Sequence, residues 1–121
     1  MKPISLILFV LLLTVVVGCD KPGEIRIRNS VTGATLQNVR WGDVMVAAQL
    51  YPGEASTIVN IYDEPDWGVD LPADEPIRFY LNVGGDLIYL ETRESYHLDE
   101  EVKLTVEIHD TTKVWNSVVN D

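Results

Sequence analysis

The sequence predicts an all-β domain, an antiparallel β-sandwich of about eight short strands, preceded by an N-terminal helix that belongs to a signal segment. Three observations predict it. From Glu24 onward the dominant hydrophobic period is two, the signature of half-buried strands. Turn-forming residues recur roughly every 8–12 positions, the spacing of a sandwich. No helical period follows residue 19.

The elements follow in order. Residues 24–29 (EIRIRN) put Ile25 and Ile27 on one face and Arg26 and Arg28 on the other. Residues 30–35 read as a turn. In 35–41 (TLQNVRW) Leu36 and Val39 are out of phase, which predicts a bulge near Gln37–Asn38. Gly42–Asp43 turns the chain into 44–50 (VMVAAQL), with Val44, Val46, Ala48 and Leu50 expected on one side. Residues 51–54 (YPGE) have the Pro-Gly pair of a type II turn, and 55–62 (ASTIVNIY) read as a strand. A long loop, 63–76, follows.

Strands 77–83 (IRFYLNV) and 86–92 (DLIYLET) are joined by Gly84–Gly85, a strong two-residue hairpin signal. That turn predicts a register. Val83 faces Asp86, Leu81 faces Ile88 and Phe79 faces Leu90 on the buried side; Tyr80 meets Tyr89 and Arg78 meets Glu91 on the other. Residues 95–101 (SYHLDEE) read as a short connection. Residues 102–109 (VKLTVEIH) alternate most cleanly of all, and 113–119 (KVWNSVV) make a last strand. The pattern suits a sandwich of immunoglobulin-like or transthyretin-like type, with a small barrel as the second choice.

The chain has 121 residues and a net charge of −10; the first 19 residues carry only Lys2, so the part after Cys19 stands at −11. This balance argues against nucleic acid, where basic patches neutralise phosphate, and against docking on anionic lipid through a basic surface. It favours solubility and monomeric behaviour, or a cationic partner. With Cys19 the single cysteine, no intrachain disulfide forms and the core alone must hold the domain.

Lys2 precedes a run from Ile4 to Val17 that is apolar except for Ser5 and Thr14. Such a length fits a signal-peptide core and falls short of the roughly 20 residues that span a bilayer. The run ends in VVGC, residues 16–19, followed at once by polar chain. This combination resembles the lipobox of a bacterial lipoprotein precursor, over residues 1–20 only. The resemblance implies cleavage before Cys19, a diacylglycerol thioether on its sulfur, and an acyl chain such as palmitate on the new amino terminus. Two or three chains anchor firmly where one binds marginally. It also implies a signal peptide at 1–18, a lipidated cysteine and tether at 19–23 with Pro22 and Gly23 as breakers, and a domain at 24–121. The location implied is the bacterial cell envelope, facing the periplasm or exterior. Asp20, next to the cysteine, resembles an inner-membrane retention signal of enterobacterial type, while Lys21 is expected to weaken it.

The densest polar feature is the loop. Asp63, Glu64, Asp66, Asp70, Asp74 and Glu75 surround Trp67 and Gly68. So many hard oxygen donors suit calcium, which takes about 6–8 of them, but the spacing is not that of an EF-hand. The alternatives are a solvated loop, its charges held apart, or a docking loop in which Trp67 anchors and the acids steer a basic partner. Ser95, His97 and Asp99 share a face but stand nearly 7 Å apart in an extended chain, too far for a relay. His97 and His109 lack metal-ligand spacing. Trp41 and Trp115 read as packing residues, and the Tyr80–Tyr89 pair as sheet-face stabilisation or a flat recognition patch. No catalytic constellation emerges. The function expected is a membrane-tethered binding or structural module. The alternative is an acidic periplasmic inhibitor or immunity-type protein that neutralises a cationic enzyme or toxin.

Overall fold

The computed structural model describes residues 21–66 and 68–116, and within them the chain is all-β. Ten strands form: β1 (Gly23–Ser30), β2 (Thr35–Trp41), β3 (Val44–Leu50), β4 (Val59–Ile61), β5 (Ala73–Glu75), β6 (Ile77–Val83), β7 (Asp86–Thr92), β8 (Tyr96–Leu98), β9 (Lys103–His109) and β10 (Val114–Trp115). They build a sandwich. A three-stranded sheet, β4-β1-β9, packs on a five-stranded sheet, β10-β7-β6-β2-β3, and a ribbon of β5 and β8 stands beside them. The signal segment, Cys19, Asp20, Trp67 and residues 117–119 of the last expected strand lie outside the described residues.

The core is what period two dictates. Ile25 and Ile27 of β1 and Val106 and Ile108 of β9 face Leu36, Val39, Trp41, Ile77 and Phe79 of the larger sheet, all essentially excluded from water. Each such side chain contributes about 1.5–3 kcal/mol on burial, which is how a domain without a disulfide holds together. The Trp41 indole N–H donates to the Tyr96 carbonyl at 2.9 Å, so its one polar atom is satisfied.

Two local expectations are met closely. The β6–β7 hairpin has the expected register, Val83↔Asp86, Leu81↔Ile88, Phe79↔Leu90, Tyr80↔Tyr89 and Arg78↔Glu91. Gly84 and Gly85 both have positive φ (59° and 96°), the conformation that the tight turn demands and glycine adopts without strain. The bulge in β2 is also present: the register against β6 shifts between Gln37 and Arg40, and Asn38 takes a φ of 50°.

Several expectations are corrected. The sandwich is not purely antiparallel, because β1 and β9 run parallel over seven pairs, from Glu24↔Lys103 to Ser30↔His109. Strands 1 and 9 are remote in sequence, so no tight turn constrains their direction. Ala48 is exposed, because β3 breaks phase opposite the β2 bulge and turns Ala47 inward in its place. The strand expected at 55–62 is reduced to β4 plus a bridge between Ala55 and Arg28. At the hairpin tip Val83 and Ile88 are exposed, since three strands do not cover the full width of five. Gly23 is no tether residue but the buried first position of β1, where a Cβ would stand 2.7 Å from the Asp99 carbonyl oxygen.

Candidate functional site

The registers of β1 fix where the acidic loop lies. Gly23 pairs with Ile61, so the chain enters the domain directly beside the point where the loop departs. On the other flank Glu24 pairs with Lys103, Glu101 donates its N–H to the Pro22 carbonyl at 3.2 Å, and Lys21 meets the Glu101 carboxylate at 3.0 Å. Asp63 at the start of the loop and Asp99–Glu101 before β9 therefore bracket Lys21 and Pro22. The acidic end of the molecule and the point of attachment to residues 1–20 are the same end.

The loop is built, not loose. The Asp63 carboxylate accepts the Leu71 N–H at 2.9 Å, the Glu64 N–H donates to the Val69 carbonyl at 2.7 Å, and the Gly68 N–H donates to the Glu64 carbonyl at 2.8 Å. Leu71 plugs the core, and a cis bond joins it to Pro72. The chain then forms β5, which pairs with β8 through Ala73↔Leu98, Asp74↔His97 and Glu75↔Tyr96. His97 Nδ1 lies 3.0 Å from Asp74 Oδ1, so His97 is joined to the acidic loop and not to Ser95 or Asp99. Glu75 packs on Gly42, whose own N–H donates to the Pro76 carbonyl at 2.8 Å.

The loop acids thus have separate partners: Asp63 within the loop, Asp74 on β8, Glu75 against the β2–β3 turn. Asp66 and Asp70 are exposed. Among the described residues no three His, Cys, Asp or Glu side chains converge as a metal-holding group. What the loop does create is a cleft of about 470 Å³ with Trp41, Val44, Val69 and Ala73 among its apolar lining and Asp43, Asp70 and Glu75 as its acids. A smaller cleft of about 200 Å³ lies on the other side of Val69, against Tyr62 and Glu64. An apolar wall bearing carboxylates suits a cationic, partly apolar group such as a lysine or arginine side chain.

The open face of the five-stranded sheet is the second surface. The Tyr80 and Tyr89 rings are 5.2 Å apart and tilted by 53°, within the favourable range for an aromatic pair. Beside them Arg78 bridges Glu91 at 2.7 Å and Asp43 at 3.0 Å. The charge-assisted bond to Glu91, ahead of the other influences, raises the Arg78 pKa, so this cation is permanent. At the sheet edge the Arg93 guanidinium lies 4.4 Å from the centre of the half-exposed Trp115 ring. These groups satisfy one another, and so they read first as sheet stabilisation.

The sequence shows Asp74, Glu75 and His97 as polar candidates, but not the β5–β8 pairing that joins them, nor the part Tyr96 plays. Tyr96 lies in the expected connection 95–101, yet its carbonyl holds Trp41, and burial, together with the nearby Glu94 charge, raises its phenol pKa. No family model, no curated protein and no solved structure matches the chain.

Proposed function

We propose that the chain is an extracytoplasmic bacterial lipoprotein, anchored through lipid on Cys19, whose β-sandwich serves as a small binding or structural module. The observation that carries this reading is the sequence of residues 1–20, a short apolar run ending in VVGC and followed by polar chain. The fold is compatible with it: among the described residues, every core residue lies beyond Gly23. In this reading only Asp20, Lys21 and Pro22 separate the lipidated residue from β1, roughly 10 Å of extended chain. The acidic end then faces the lipid at close range. Like-charge repulsion from anionic headgroups holds the domain off the surface, and the loop is offered to a cationic partner lying in or on the same membrane. The reading assigns no catalytic step.

Changing Cys19→Ser tests it. The expected result is loss of the lipid mass and of processing, seen by mass spectrometry of the protein from its own membrane. Unchanged membrane retention in that variant would sink the lipoprotein reading.

The second reading is an acidic inhibitor or immunity-type protein for a cationic enzyme or toxin, favoured by the carboxylate-lined cleft under the loop. A pull-down from envelope extract separates the two. A tight soluble partner released by high salt supports the inhibitor; a partner found only in the membrane fraction supports the tethered module.

A further inference from the structure

We propose that β9 is a self-pairing edge, and that two copies of this chain join there as antiparallel strands centred on Thr105. Sheets protect their edges with short strands, bulges, proline, inward charges or charged side chains, lysine above all. Three of the four edges of the sandwich sheets here follow that rule: β4 and β10 are three and two residues long, and β3 is broken by a register shift. The edge at β9 is long and regular, and its only protection is the charge of Lys103 and Glu107. Its seven residues, KLTVEIH, pair in unbroken register with β1 and contain no proline, no glycine and no inward charge.

The backbone of β9 is aimed for pairing. The Glu24 N–H donates to the Val102 carbonyl, which sets the phase of the parallel ladder. In that phase Leu104, Val106 and Ile108 direct their N–H and C=O groups at β1, while Lys103, Thr105 and Glu107 direct theirs outward. No hydrogen bond joins these outward groups to other backbone among the described residues. His109, in the same phase, closes the row by donating its N–H to Thr112 Oγ1 at 2.8 Å.

The side chains specify the register. With Thr105 opposite Thr105 of the second copy, Lys103 falls opposite Glu107 and Glu107 opposite Lys103, so both charged pairs are attractive. The three pairs formed by the outward-directed residues, Lys103, Thr105 and Glu107, are hydrogen-bonded ones, giving about six backbone bonds. On the inner side Leu104 falls opposite Val106, and the half-buried Leu104 gains cover. The arrangement is isologous and closes at two copies. It joins two three-stranded sheets into one of six strands and does not depend on what residues 1–20 do.

Sedimentation velocity on residues 20–121 is the test; among the described residues the core lies within residues 25–114, all inside this span. A monomer–dimer equilibrium is expected between about 5 μM and about 1 mM. Lys103→Glu and Glu107→Lys should each weaken it about tenfold by setting like charges opposite one another, and the double exchange should restore it. Thr105→Pro should abolish pairing and leave a folded monomer, because the N–H it removes faces outward and not β1. A chain monomeric throughout that range overturns the proposal. So does a dimer indifferent to the charge exchanges, or one that forms only after residues 117–121 are removed, which would make the chain's own C-terminus the occupant of the edge.

Discussion

Asn29 is the residue whose loss should tell most about how the sandwich closes. It is fully buried in β1, yet its amide nitrogen donates to the Ala34 carbonyl at 2.8 Å and the Leu50 carbonyl at 2.9 Å, and its oxygen accepts the Val31 N–H at 2.9 Å. One side chain thereby ties the three-stranded sheet to the β1–β2 turn and to the end of β3. Asn29→Ala removes three bonds worth about 1 kcal/mol each and strands buried carbonyls at further cost, about 3–5 kcal/mol in all. That is a large share of the roughly 5–15 kcal/mol that holds a domain folded.

Asn29→Asp is the sharper test, because shape is unchanged and only the donor is lost. The new oxygen confronts two carbonyl oxygens, and burial opposes its charge, so its folded pKa is raised above the unfolded value near 3.9. A raised folded pKa means that the loss is smallest at low pH and grows as pH rises through that value. Urea unfolding at pH 7 should therefore show Asn29→Asp at least as unstable as Asn29→Ala, with the order reversing or the gap closing near pH 4. If Asn29→Asp lies within about 1 kcal/mol of the parent at pH 7, the three bonds do not carry the closure and the argument fails.

Two further outcomes are expected. Gly23→Ala should destabilise by about 1–3 kcal/mol, since its Cβ would stand 2.7 Å from the Asp99 carbonyl oxygen; a thermal melt unchanged by the substitution would mean that β8 and β9 shift freely at this end. Asp110 accepts both the N–H and the hydroxyl of Thr32 at 2.8 Å, and these bonds lower its pKa. A lowered folded pKa contributes stability above the unfolded value and loses it as pH falls through the folded one. The melting difference between the parent and Asp110→Asn should accordingly be largest near neutrality and shrink below about pH 4; a constant difference across that range refutes the assignment.

How much of this was legible in advance differs from element to element. The β6–β7 register was readable because Gly84–Gly85 is a local turn and the apolar sets of its two strands agree in phase. The β2 bulge was readable from the misfit of Leu36 and Val39. The β5–β8 ribbon was not, because ADE and YHL are too short to show a period; they are strands only because they pair with each other. The acidic loop was visible as composition, but its division into separate partners, Asp63 to Leu71 and Asp74 to His97, depends on atoms brought together across the fold.

Nearest-neighbour geometry along the chain dictates that the domain is β, which face of most strands is buried, and where the tight hairpin turns. The sequence also carries the lipobox-like segment, a motif of contiguous residues. Long-range packing alone sets β1 parallel to β9, makes Asn29 bridge two sheets, and brings the acidic loop out beside the point where the chain enters. The physical reason is the same in each case. Periodicity reports how a strand meets the core, and it holds no record of which remote strand will lie alongside.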